Sequence, residues 1–148
     1  MILFIRKHRF ILAAFGFAAV LLVIIIGLFS IDNATNQMVV DYIESLGWRI
    51  NPSPVEISHL TIPQSFDAVY STYNAVQTGS GFDLTPFRGK KVSRYSYKVL
   101  NHRESAKSEV TASVLVYENR IIAGDISSSA MNGFMHALTE TSNIAADN

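Results

Sequence analysis

The densest charge feature of the sequence is a run of cations, Arg88, Lys90, Lys91, Arg94 and Lys98, with no acidic residue between Asp83 and Glu104. Cations gathered on one surface attract anions, so the chemistry on offer is docking of an anionic partner such as phospholipid headgroups or an acidic envelope polymer. On a strand, Arg94 and Lys98 share a face while Lys90 and Lys91 stand at its entry, so that a positive ridge can form. A solvated outer face that discourages edge-to-edge pairing of sheets uses the same residues.

Four histidines, His8, His59, His102 and His136, stand apart, without the i, i+4 spacing that sets two metal ligands on one helical face. His102 or His136 with Asp125 and a serine would compose a hydrolytic constellation if the fold gathered them. Neither a Gly-x-Ser-x-Gly elbow nor a Ser-x-x-Lys motif accompanies them. Phosphate-binding glycine loops are missing, and Gly79-Ser80-Gly81 lacks the strand-before, helix-after setting such loops need. Cysteine is absent, which excludes disulfides, thiolate metal sites and a cysteine nucleophile. No cofactor site and no metal site are expected. Tyr70, Tyr73, Tyr95 and Tyr97 offer aromatic surface, but their helical and strand spacing points to core packing. Asn33-Ala34-Thr35 is a glycosylation sequon whose place next to an anchor makes it a chance match.

These residues need a scaffold, and its first part is an anchor. Residues 10–31 run without a charge (FILAAFGFAAVLLVIIIGLFSI), and as a helix they reach about 33 Å, enough to cross a hydrocarbon core. Arg6, Lys7 and Arg9 precede the run and Asp32 follows it, so the N-terminus is expected inside the cell membrane and the C-terminal part outside. A cleaved signal peptide shares the basic start, but its apolar region is shorter, and Leu28-Phe29-Ser30 is a poor cleavage site. The expected organisation is a cytoplasmic N-terminus at 1–9, an anchor at 10–31, a spacer at 32–37, an extracytoplasmic domain at 38–138 and a flexible tail at 139–148. Three of the twelve basic residues precede the anchor and all twelve acidic ones follow it. The outer part is therefore mildly acidic, which argues against nucleic acid as a partner.

Within the outer part, Met38, Val39, Tyr42, Ile43 and Leu46 recur at helical spacing, and Gly47 offers the left-handed cap. Pro52 and Pro54 break regular structure before a β-rich stretch, Val55 to Ile62. Phe66, Val69, Tyr70, Tyr73 and Val76 predict a second helix over 64–77, begun by Gln64 or Ser65. Phe82 to Gly89 reads as an ordered loop. Val92 to Leu100 alternates as a half-buried strand, and after a polar loop at 102–108 a hairpin follows, connected by Glu118-Asn119-Arg120, where Asn119 tolerates the positive φ of a tight turn. Met131, Phe134, Met135 and Leu138 favour a short helix over a turn at Asn132-Gly133. The fold class predicted is α+β: an N-terminal transmembrane helix followed by a two-layer domain, with both helices on one face of a mainly antiparallel sheet.

The stretch Asp41 to Trp48 (DYIESLGW), Ile62-Pro63, Phe66 to Tyr73 (FDAVYSTY), Gly89 to Val92 with Tyr95 and Tyr97, Gly124-Asp125 and Gly133 to His136 resembles a domain-of-unknown-function family. Its members look like small membrane-anchored proteins of low-GC Gram-positive bacteria. The resemblance spans about 38–138 and implies the topology above without implying an activity. The leading expectation is a non-enzymatic binding or interaction module of the bacterial envelope, meeting an envelope protein or an anionic polymer near the bilayer. The alternatives are a small extracytoplasmic hydrolase built on His102 or His136 with Asp125, and an accessory subunit acting through its membrane helix.

Overall fold

In the computed structural model the described residues are Leu21 and 33–145. The chain divides into two compact units, Met1–Thr35 and Asn36–Asn148. In the first, Leu21 and 33–35 are described and are helical. The anchor expected at 10–31 otherwise lies outside the described residues. Among those described, no helix is long and apolar enough to cross a membrane.

The second unit holds a helix and a meander with one helical insertion. Helix α1 occupies 36–45 of this unit and ends at Gly47, whose φ of +90° is the left-handed cap that suits glycine. Then come β1 (Glu56–Thr61), α2 (Ala68–Gly79), β2 (Lys91–Lys98), β3 (Thr111–Tyr117), β4 (Arg120–Ser127) and β5 (Met135–Ala137). The five strands lie in sequence order, every neighbouring pair antiparallel. The β3–β4 turn places Glu118 and Asn119 at φ of +46° and +56°, the mirror-image turn whose twist suits a two-residue hairpin.

Side chains alternate across a strand, and here both faces are apolar. Val39, Val40 and Ile43 of α1 pack with Tyr95, Tyr97, Ala112, Val114 and Ile126 on the first face. Leu115, next to Val114, points the other way and joins Val92, Ala123, Ile62 and Leu84, with Tyr70 and Tyr73 of α2 against them. The helices therefore cover opposite faces of the sheet, not one face as expected. Helix α2 also starts later than expected: Asp67 is its N-cap, accepting from the Tyr70 amide at 2.7 Å.

The C-terminal part departs most from expectation. No helix forms over 131–138; Gly133 turns instead, its amide donating to the Ala130 carbonyl at 2.7 Å, and β5 then pairs with β4. A Cβ on Gly133 would lie 2.1 Å from the Ser128 carbonyl oxygen, so the turn requires glycine. Pairing gives the outer edge of β4 backbone partners and buries Leu138 fully, which a short helix of modest propensity cannot match. Residues 139–145, expected within a flexible tail, are docked. Ile144 bridges to His102 and packs on the core, and the Ala145 amide donates to the Asn101 carbonyl at 2.8 Å.

Candidate functional site

A cleft of about 650 Å³ lies between the loop joining β2 to β3 and the lip joining β4 to β5. Asn101 fixes the loop. Its side chain accepts from the Arg49 amide at 2.8 Å and donates to the Gly47 carbonyl at 3.0 Å, tying the loop to the end of α1. His102 follows, 4 % exposed, lying between Trp48 and Phe134 with ring centroids 5.9 and 4.8 Å away. Trp48 is buried beneath and donates from Nε1 to the Leu138 carbonyl at 2.7 Å. On β5, His136 stacks on Phe134 and faces His102. The mouth is lined by Arg103, Glu104 and Lys107 on one side and Met131 and Asn132 on the other.

The two imidazoles meet at Nε2, 3.3 Å apart. Their outer partners fix where the hydrogens lie. The Glu104 amide donates to His102 Nδ1 at 3.1 Å, so that nitrogen is bare and the ring's hydrogen sits on Nε2. His102 Nε2 then donates to His136 Nε2, which leaves the hydrogen of His136 on Nδ1, 2.9 Å from the Ala137 carbonyl that accepts it. All four ring nitrogens are thus occupied with both rings neutral. Burial pushes the His102 pKa below its ordinary value, and the neighbouring His136 and Arg103 push the same way, with Glu104 opposing. Ser128 Oγ donates to Ser108 Oγ at 3.3 Å across the cleft. Those hydroxyls bond each other, and no imidazole nitrogen remains to act on them.

Asp125 lies on the opposite face of the sheet. It is 4 % exposed, Tyr73 Oη donates to its Oδ1 at 3.1 Å, and the pair borders a second cleft of about 240 Å³ with Arg94 and Ser113. Burial raises the Asp125 pKa, while Tyr73, Ser127 and Arg94 restrain the rise. Burial first, and then the Asp125 charge, raise that of Tyr73. The structure thus joins His102 to His136 and leaves Asp125 with a tyrosine.

Of the cationic run, Arg88, Lys90, Lys91 and Lys98 are exposed and Arg94 is half-buried. Arg94 donates to the Glu56 carboxylate at 3.2 Å, and the Arg88 guanidinium sits 4.5 Å from the Phe66 ring centroid. Lys91 and Lys98 occupy the two ends of β2, about 23 Å apart at strand rise. The run is spread from the loop before β2, which holds Arg88 and Lys90, along the strand itself, and of its members Arg94 borders the 240 Å³ cleft. Tyr95 and Tyr97 are core residues, as their spacing implies. His59 is exposed beside Ser93, far in sequence from the other histidines. The pairing of His102 with His136 escaped the sequence reading because 34 residues separate them. The available signal was Phe134-x-His136 on one strand face, with a lone tryptophan needing a polar partner.

Compared with known proteins, residues 42–126 match the model of a family described as a domain of unknown function (DUF4830). No curated protein and no solved structure matches the chain.

Proposed function

Since the chain belongs to the DUF4830 family, whose description carries no activity, its role is to be read from its own residues, and we propose that it is a binding module held at the outer face of the cell membrane. The tether is the uncharged stretch at 10–31, oriented by Arg6, Lys7 and Arg9. The binding site is the cleft around His102, Phe134 and His136. One observation carries the choice of binding over hydrolysis: every imidazole nitrogen in the cleft is engaged, one by a backbone amide, one by a carbonyl and two by each other. A general base needs a free nitrogen within reach of a nucleophile. What the cleft does offer is an aromatic wall, Arg103 and Lys107 at its mouth, and volume enough for a small ligand or a polymer segment. Partners fitting it are anionic envelope polymers close to the bilayer.

The test is photocrosslinking in intact membranes. Met131 stands fully exposed at the lip, and Val69 is exposed on α2 across the sheet. A crosslinking residue at 131 is expected to capture envelope polymer, and the same residue at 69 is expected not to. Equal capture from both positions would refute the cleft as the site.

A further inference from the structure

The row of hydrogen bonds through the two imidazoles has one weak point, its first member. Glu104 N–H and His102 Nδ1 are a donor and an acceptor only while both rings are neutral. A proton added to the pair converts His102 into an imidazolium. Its Nε2–H still donates to His136, and the new hydrogen stands on Nδ1, facing the Glu104 amide across 3.1 Å. Two donors then point at one another, and an acceptor able to take both relieves the conflict. An anionic oxygen is such an acceptor, because backbone amides and imidazolium N–H groups make charge-assisted bonds to oxyanions.

Resting on the binding role of this cleft, we propose that it takes up an oxyanion, a sulfate or phosphate group, together with one proton, the anion being held between the Glu104 amide and the His102 imidazolium. The surrounding charges favour it on balance. Arg103 and Lys107 line the same cleft. The Glu104 carboxylate, the one acid on that wall, is engaged by Lys107 at 3.4 Å, and the Arg103 guanidinium donates to the Ser142 carbonyl. From β5 the facing group is His136, and from α1's end and the lip the packed rings are Trp48 and Phe134, neither of which titrates. Asp125, on β4, feels His136 through the sheet from the other face. Without an anion, burial and the neighbouring His136 and Arg103 oppose the proton. Proton and anion therefore arrive together, and each raises the affinity for the other.

The experiment titrates sulfate into the full chain in detergent micelles at constant ionic strength, at several pH values from 8 down to 5. Sulfate keeps both charges across that range, so any pH dependence belongs to the protein. Trp48 is the sole tryptophan, and its ring lies 5.9 Å from His102 and 6.0 Å from His136, so its fluorescence reads the pair directly. One proton per anion predicts affinity rising towards about tenfold per pH unit as the solution is acidified. His102→Gln keeps an acceptor for Glu104 but cannot take a proton, and it is expected to flatten the profile. Lys107→Gln, at an exposed position, is expected to weaken sulfate severalfold at every pH while keeping the slope. A wild-type affinity equal at both ends of the range would overturn the proposal, as would an unflattened profile in His102→Gln or an unchanged affinity in Lys107→Gln. A phosphodiester oligomer run in parallel separates a polymer-borne group from a free anion. If the oligomer binds with a flat profile, proton linkage falls and the binding role stands; if neither probe binds at any pH, both fall.

Discussion

Replacing Tyr73 by phenylalanine removes one hydroxyl and little else. That hydroxyl donates to Asp125 at 3.1 Å, and the carboxylate belongs to a residue 4 % exposed. The Asp125 charge is held first by hydrogen bonds from Tyr73 and Ser127, with Arg94 and His136 adding weaker attraction. A hydrogen bond to a buried charge contributes about 1.5–3 kcal/mol, and one between neutral groups about 0.5–1.5 kcal/mol. Tyr73→Phe should therefore cost about 2 kcal/mol at pH 7. With Asp125→Asn as background the cost should fall to about 1 kcal/mol, because Tyr73 then donates to a neutral amide. Acid should act as that background does. Burial raises the folded-state pKa of Asp125 above the unfolded value of 3.8, so the penalty on the charged form is full above the folded value. It is shed as the pH falls towards 3.8. By the same sign, Asp125→Asn should be more stable than wild type at neutral pH and lose that advantage in acid. Urea unfolding of the full chain, followed by circular dichroism, measures all four corners of the cycle. A Tyr73→Phe cost under about 0.5 kcal/mol, or an equal cost in both backgrounds, would refute the assignment of Asp125 as a buried charge held by tyrosine.

The imidazole pair predicts a second pH effect of the opposite sign. The folded-state pKa of His102 lies below its ordinary value of 6.5, so in low-salt buffer without oxyanions stability should be full above pH 6.5 and decline as the pH falls below it. His102→Gln should flatten that decline in thermal melts. Trp48→Phe leaves the Leu138 carbonyl without its 2.7 Å donor and removes buried ring. The expected cost is about 2–4 kcal/mol in denaturant unfolding followed by circular dichroism. The absence of native cysteine makes topology testable by single replacements. In intact cells Ser142→Cys should react with an impermeant maleimide and Ile2→Cys should not; the reverse pattern would refute the orientation.

The order of helix, strand, helix and strands was legible because each element carries its own period. Examples are the helical spacing of Val39 and Ile43, the alternation of Tyr95 and Tyr97, and the positive-φ turn at Asn119. Facing was harder. Strand β3 reads as Val114 and Val116 against Leu115 and Tyr117, so both its faces are apolar and a helix on each is the arrangement that buries them. The C-terminal segment misleads because Met131, Phe134, Met135 and Leu138 fit a helix by spacing, whereas the open edge of β4 and the turn at Gly133 decide for a strand. Tertiary pairing overrides local propensity there. The candidate site was legible only in part. His102 and His136 were singled out as residue types, but their contact is non-local, and Trp48 and Phe134 gain their role solely from it. Asp125 belongs to the second face by strand parity with Ser113 and Ser127, a parity available in the sequence once the register of β4 is known.

The measurement that tests the central claim most directly is a map of backbone amide shifts in the full chain as a phosphodiester oligomer is added. Binding in the cleft predicts that the largest shifts cluster at His102, Glu104, Lys107, Phe134 and His136, with the Trp48 indole signal moving alongside them. Shifts confined to Arg88, Lys90, Lys91 and Lys98, with the cleft and Trp48 silent, would contradict it and move the binding surface to the cationic strand.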